Sequence, residues 1–447
     1  MKASSYNHFF ELKDERTVLA YNSYSGALAE IEKENFARIK QLLSNPSLGE
    51  STSDHEFLQC LRDGGFLIPD MVDQTAAVKT KSRSVRLEGM LLALTIAPTL
   101  ACNFACDYCF ESRSNIVMSQ KTQDALIRFA DHHLVRAEAL RVSWFGGEPT
   151  LCFPLIEKLQ CQLLELAQKH RTELVPGQII TNAYLLDGTK AQRLKDLQIA
   201  HAQVTIDGPR EIHDARRKLR NGKGTFDRIL ENLSAVAGIM SINVRINVDK
   251  ENVDSACEVA EILHQEGLLS KVRVTFAQVQ SSGHTCSDIR DRCYDNAGFA
   301  QTLVQIQNRL FGKGIQRVNS PRIGSGATCG AVANGNFVVS PNGFLFRCWE
   351  DISIDGEKSI GDLFSPIPAE QQKQNLDAYT AWDPFKMTEC KSCEVLPICL
   401  GGCPLSTLRD SEATRGECAP WKYNLKEIIE LAYLSQAQSS SDNPAPA

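Results

Sequence analysis

Between residues 90 and 315, stretches that read as strands alternate with stretches that read as helices, and this alternation limits the fold more than any other feature of the 447-residue chain. The strand candidates are LLALTIAP, LRVSWFGG, QIITNA, AHAQVTIDG, INVRINVD and VRVTFAQV, short apolar or alternating runs bounded by turn-forming residues. Between them, PLIEKLQCQLLELAQKH and DSACEVAEILHQEG carry apolar residues every three or four positions, the period of a helix with one buried face. Right-handed crossovers of this kind build a parallel sheet, so the expected fold class is α/β, a partial (β/α)6 barrel over residues 90–315. Ligands of such sheets bind beyond the C-terminal ends of the strands.

The flanks follow other rules. Residues 1–75 read as strands around Phe9–Leu12 and Thr17–Tyr21, helices from about Gly26 to Ser44 and from His55 to Asp63, and a closing strand in GFLIPD. That order resembles a small α+β, winged-helix-like domain, and fits a merely structural N-terminal cap as well. Residues 76–89 are polar and basic and read as a linker; 316–435 lose periodicity while gaining glycine, proline and cysteine; 436–447 read as a disordered tail. A cysteine-rich segment with little apolar surface to bury is expected to need metal to hold it.

A net charge of -6 gives no reason to expect nucleic acid or an anionic membrane as partner. The first residues lack the apolar run of a signal peptide, and no window approaches a bilayer-spanning length, so a cytoplasmic location is expected. Sixteen cysteines in a reducing compartment are poor disulfide candidates and better metal ligands. Four of them, Cys60, Cys152, Cys161 and Cys257, fall on helical faces and read as small buried hydrophobes.

Ten of the sixteen fall in two clusters. The first, CNFACDYCF, follows the first strand and contains Cys102, Cys106 and Cys109, with no fourth cysteine or histidine close by. A structural zinc site wants four closed ligands, whereas a catalytic zinc can use three, and spacing alone leaves that alternative open. Placed at the end of a first barrel strand, with Tyr108 before the last cysteine, this CxxxCxxC resembles the signature of the radical S-adenosylmethionine superfamily. The resemblance implies that the three thiolates hold a [4Fe-4S] cluster whose fourth iron binds S-adenosylmethionine. Reductive cleavage then yields a 5'-deoxyadenosyl radical that abstracts a substrate hydrogen.

Later strand ends extend the likeness. WFGGEP after the second strand resembles the family's GGEP element; Gly146, Gly147 and Pro149 would shape it, and Glu148 would accept the methionine ammonium. In isolation the same residues would read as a turn. ITNAYLL resembles the TNG segment and nominates Asn182, with Ala183 in the glycine's place. TIDGPREIHDARR resembles the end of the fourth strand, implying Thr205 and Asp207 near the ribose or methionine and Arg217 on the carboxylate. Each polar position could equally serve as a cap or turn residue.

The second cluster holds Cys329, Cys348, Cys390, Cys393, Cys399, Cys403 and Cys418. Seven cysteines exceed one four-ligand site, and two zinc ribbons would fit the spacing. In order they resemble the SPASM extension, which implies two auxiliary [4Fe-4S] clusters and three clusters in all. By that match Cys390, Cys393, Cys399 and Cys418 ligate one; Cys329, Cys348 and Cys403 serve the other, completed by Cys286 or Cys293 or left with an open iron.

The resemblance is to peptide maturases and, more distantly, to anaerobic sulfatase-maturating enzymes. It implies a ribosomally made precursor peptide whose leader the first domain would hold at a sheet edge, and a flavodoxin- or ferredoxin-type electron donor. The expected product is a cross-link, a cysteine thioether, with an auxiliary cluster as electron sink. Formylglycine formation is the alternative, although those maturases carry aspartate where this chain has Trp349. That departure nominates Glu350 and Asp351 as proton acceptor or substrate anchor, against a reading as solvated loop carboxylates. A non-catalytic Fe-S or zinc protein is the alternative from another class.

Overall fold

A computed structural model describes residues 1–49, 51–87, 90–111, 114–280, 289–315, 318, 320–321, 329–409 and 418–442. It divides into two compact units, Met1–Val85 with Asn296–Cys329 and Trp382–Ala447, and Arg86–Asp295 with Gly330–Ala381.

In the second unit six parallel strands lie side by side in chain order: Leu91–Ile96, Ala139–Trp144, Gly177–Thr181, Ile199–Thr205, Ser241–Val248 and Val272–Gln278. The sheet stays open. The sixth strand is one edge, while Asn336–Val339 pairs in parallel with the first strand and is followed by Phe344–Phe346 and Gly361–Asp362, both antiparallel. Successive side chains point to opposite faces, so Leu94, Trp144, Val204 and Ile246 are fully buried in one layer with the helices. The opposite face is the one available to a ligand.

In the first unit three antiparallel strands, Asn7–Glu11, Thr17–Asn22 and Leu28–Glu32, pair in that order. The helix expected from Gly26 instead begins at Lys33, because alternation in LAEIE makes a third strand ahead of it. The helix Thr52–Asp63 opens on a capping box between Ser51 and Asp54. The middle strand is buried on both faces: Val18 and Ala20 pack with Ile39, Leu42 and Leu58, while Leu19 and Tyr21 pack with Val395, Ile398, Leu425 and Ile429. The carbonyl of Glu394 accepts from Ser23 Oγ at 2.6 Å and lies 3.3 Å from His8 Nε2. N-terminal strand and C-terminal cysteine-rich segment therefore share one core.

Three further expectations change. Gln74–Leu87, expected as mostly linker, is a helix that buries Gln74, Val78, Ser82 and Arg86, a stripe at every fourth residue too polar to register as apolar periodicity. Residues 436–442 continue the helix Trp421–Asp442, which is anchored by buried Ile428, Ile429 and Leu431; the remaining tail lies outside the described residues. Cys257 is buried as expected, but Cys60 is exposed, on the outer side of its helix.

Candidate active site

The loop carrying Cys102, Cys106 and Cys109 leaves the first strand and is fastened to the ends of the next ones. Gly146 has φ +106°, and a Cβ there would meet the Thr99 carbonyl at 2.3 Å; at Gly147 it would meet the Ala101 carbonyl at 2.5 Å. Only glycine allows that approach, which lets Gly147 N donate to Thr99 O at 3.2 Å and Glu148 N to Ala101 O at 2.9 Å. Pro149 opens the short 3-10 turn Pro149–Cys152 that follows. GGEP thus binds the second strand's end to the cysteine loop.

Glu148 is completely buried, and burial raises its pKa. Its Oε1 accepts from Thr150 N at 3.0 Å, from Thr181 Oγ1 at 2.7 Å and from Thr150 Oγ1, while Oε2 accepts only from Asn182 N at 2.7 Å. A carboxylate offers about four acceptor positions, so Oε2 keeps room for one more donor. Asn182 reaches back from the third strand: its Nδ2 donates to Asn103 Oδ1 at 2.8 Å and lies 3.9 Å from Cys102 Sγ. Ala183 takes the left-handed φ of +58° that glycine favours, held by a bond from its N–H to Thr181 Oγ1.

Sequence reasoning missed Glu111. Its side chain is buried, its Oε2 has no hydrogen-bond partner, and burial, then Glu148, pushes its pKa up to about 8. The glutamate two residues beyond the last cysteine was the signal. Tyr108 was also undervalued. Its hydroxyl donates to Asp207 and accepts from Arg217 Nη1 and, at 3.2 Å, from Asn247 Nδ2. Asp207 Oδ1 accepts from Asn247 N at 3.1 Å, and Arg217 stacks over Phe104 and Tyr108. Asp207 and Arg217 are thus engaged with the cysteine loop, whereas Thr205 stands at the end of the fourth strand opposite Arg245.

The three thiols are close enough to influence one another. Burial, with Glu148 beside Cys102, Glu111 beside Cys109 and the neighbouring cysteines, pushes both thiols up to about 12. Among the described residues no three His, Cys, Asp or Glu side chains close round a point that would hold an ion. The donor set nonetheless fits an iron–sulfur centre: three soft thiols on one loop, with a buried carboxylate oxygen beside them that still accepts. A cationic centre would reverse the burial effect and favour the thiolates.

The two carboxylates of RCWEDIS part ways. Asp351 is buried and accepts from Tyr379 OH at 2.5 Å, a structural bond. Glu350 is half-buried and lies within electrostatic reach of Arg245 on the fifth strand. Trp349 is exposed, its ring 6.0 Å from that of Phe145. In the other unit Cys390, Cys393, Cys399 and Cys418 come together: burial, then the other three, pushes Cys390 up to about 11. Lys422 Nζ lies 3.7 Å from Cys393 Sγ. Cys403 precedes the helix Pro404–Arg409, Cys329 is exposed, and Cys348 follows the strand Phe344–Phe346. Cys293 donates to Ile289 O, and Cys286 lies outside the described residues.

The model of the Radical SAM superfamily matches residues 96–268, from the end of the first strand to beyond the fifth. Residues 96–268 are a radical SAM domain. Within it fall the cysteine loop, Glu148, Asn182 and Arg217. The Fe-coproporphyrin III synthase of Methanosarcina barkeri is 27% identical over 38% of this chain and 40% of its own. The match to the cysteine-type anaerobic sulfatase-maturating enzyme of Clostridium perfringens is longer, 24% identity over 76% of this chain and 96% of that one. Among solved structures, anSMEcpe with bound AdoMet and Cp18Cys peptide superposes with a TM-score of 0.57 at 18% identity, covering 80% of this chain and 99% of that one. Streptococcus suis SuiB bound to precursor peptide SuiA gives 0.50 at 15% identity, over 93% and 98%. These likenesses establish the radical SAM fold. No helix among the described residues is long and apolar enough to cross a membrane.

Proposed function

We propose that this chain is a radical SAM maturase that abstracts hydrogen from a ribosomally made precursor peptide and installs a cross-link, a thioether from cysteine. The observation that carries the reading is the cysteine loop fastened to Glu148 and Asn182, within a chain that resembles, over 93% of its length, a protein solved bound to its precursor peptide. Cys102, Cys106 and Cys109 would hold a [4Fe-4S] cluster, and Glu148 Oε2 would take the ammonium of S-adenosylmethionine. When bound, the two supply the 5'-deoxyadenosyl radical. The chain's own part is positional: the Tyr108–Asp207–Arg217 contacts fix the loop against the fourth strand, and the buried surroundings keep water from a radical that must meet one C–H bond. Auxiliary clusters on the C-terminal cysteines, a leader bound by the first domain and a flavodoxin- or ferredoxin-type donor belong to the same proposal.

Formylglycine formation is the second reading, favoured by the nearly full-length match to the clostridial sulfatase maturase. Against it, Trp349 follows Cys348, and the next residue, Glu350, is the carboxylate near Arg245. Mass spectrometry after anaerobic co-expression with a neighbouring cysteine-containing peptide and with a sulfatase segment decides. A thioether removes two hydrogen atoms from the peptide and leaves no free thiol or aldehyde. Formylglycine instead gives an aldehyde that reacts with a hydrazide probe, and that result on the sulfatase segment alone would reverse the assignment.

A further inference from the structure

The ligand-side face of the sheet carries polar rows across all six strands. On the first three, Thr95, Ser143 and Gln178 lie in one row, Gln178 Nε2 donating to Ser143 Oγ at 3.2 Å, and beyond it Ala97, Phe145 and Ile180 pack with Val338, Phe346 and Ile352. Strands four to six continue the polar surface. Register places Gln203 beside Asn243, and Thr205, Arg245 and Thr275 in one row, all projecting away from the helix-covered face and all only partly buried. Two arginines stand on these rows: Arg273, in register with Asn243, is exposed, whereas Arg245 is partly buried. Its Nε donates to Asn247 Oδ1 at 2.8 Å, and no described residue accepts from its two terminal nitrogens. Burial lowers its pKa, opposed by Tyr108, Asp207 and Glu350, which support its charge. Its two terminal nitrogens keep their N–H donors for a ligand, and the planar guanidinium fork matches a carboxylate.

We propose that Arg245 is a carboxylate-binding site for the substrate: its terminal nitrogens grip an acidic side chain of the peptide on which the enzyme acts. The inference rests on the peptide reading of the function. Two features direct the site to the peptide. Arg245 shares its surroundings with Glu350, which lies two residues after Cys348 in the C-terminal extension, outside the strand ends that supply Glu148 and Asn182. Glu148 and Asn182, beside the cysteines, sit at the ends of strands two and three, whereas Arg245 lies on strand five, at least two strand spacings from the third, on the order of 10 Å; Thr205 and Asp207, expected near the ribose, adjoin it, so the test includes S-adenosylmethionine.

The test uses the full-length, iron-reconstituted protein and two synthetic peptides, acetyl-Ala-Ala-Glu-Cys-Ala-amide and its Gln counterpart, which differ only in the carboxylate. Their affinities are measured by competition against a fluorescent copy of the Glu peptide, with and without saturating S-adenosylmethionine. The wild type is expected to prefer the Glu peptide at least about tenfold, and Arg245→Gln to lose that preference. Arg245→Lys should keep part of it, because a point charge replaces the fork. Iron content and circular dichroism show whether the variants fold, and the wild-type preference is informative without them. The proposal is overturned if the wild type shows no preference, if Arg245→Gln keeps it, or if S-adenosylmethionine abolishes it, which would assign the guanidinium to the cofactor. A modified co-expressed peptide without acid preference would sink this site alone. Acid preference without any peptide modification would sink the functional reading alone.

Discussion

Two groups of thiols in this chain are held in opposite ways. Cys102, Cys106 and Cys109 hang from a ten-stranded sheet, and their loop is fastened by backbone bonds to Gly147 and Glu148 and by the Tyr108 hydroxyl to Asp207 and Arg217. Cys390 and Cys399 sit on helices of four residues each, supported on one side by Leu19 and Tyr21 of a strand hundreds of residues earlier. The first site is organised by the polypeptide before anything binds. The second has too little regular structure to organise itself, so what its thiols hold should matter to its folding.

The comparison breaks most visibly through the cysteines themselves. Replacing Cys102, Cys106 and Cys109 together by alanine should bring 5'-deoxyadenosine release under dithionite to background, while circular dichroism still reports a cooperative transition. The matching Cys390→Ala/Cys393→Ala pair should instead open residues 382–421 to limited proteolysis. Equal protease resistance in both variants would show that the second site is as preorganised as the first.

The next effect comes from the support beneath the second site. Leu19 is fully buried against Val395 and Ile398, and Leu19→Ala should cost about 2–5 kcal/mol through lost contact and the cavity left behind. Chemical denaturation should show that loss with faster iron release under chelator. A loss confined to the three N-terminal strands, with iron release unchanged, would separate strand from cysteine segment.

The sequence made the two regions unequally legible for the same reason. Strand and helix periods identified all six parallel strands, and the candidate site residues were nominated from their places at or beyond the ends of those strands. The third N-terminal strand was lost because LAEIE runs directly into a helical period at Lys33. The helix at Gln74 was lost because Ser82 and Arg86, rather than apolar residues, complete its buried stripe. The Tyr108–Asp207–Arg217 contacts could not be read, since they depend on which side chains a parallel sheet brings together across about a hundred residues, and the burial of Glu111, whose place two residues after Cys109 was legible, showed only once the loop was folded. The roles given to Glu350 and Asp351 separated only when Tyr379, from a distant helix, proved to hold one of them.

That separation gives a smaller effect. Tyr379→Phe removes a donor from buried Asp351 and should cost about 1–3 kcal/mol, because the carboxylate is left without that bond. Asp351→Asn can keep accepting from the hydroxyl and should cost less. If Asp351→Asn abolished peptide modification with stability intact, Asp351 would have a chemical role.

The smallest effect tests whether the first site's own network limits it. His213 is buried; its Nδ1 accepts from Asp207 N at 3.3 Å and its Nε2 lies 3.1 Å from Thr225 Oγ1, whose proton is given to Arg217 O. The ring is therefore the neutral Nε2–H tautomer, and burial, then Arg217 and Arg216, holds its pKa well below the usual histidine value. Above pH about 6.5 folded and unfolded chains both carry it neutral, so it costs nothing; below that, the unfolded chain takes up a proton that the folded one refuses. Stability should fall with pH by up to about 1.4 kcal/mol per unit from this residue, until the folded value is reached. His213→Asn lacks this contribution, so the stability gap between wild type and variant, measured by urea denaturation from pH 7 to 5, should narrow as pH falls. A constant gap would mean that His213 accepts its proton in place, leaving the contact from Asp207 N to be replaced by another acceptor and the loop's anchorage less dependent on this ring than its hydrogen bonds imply.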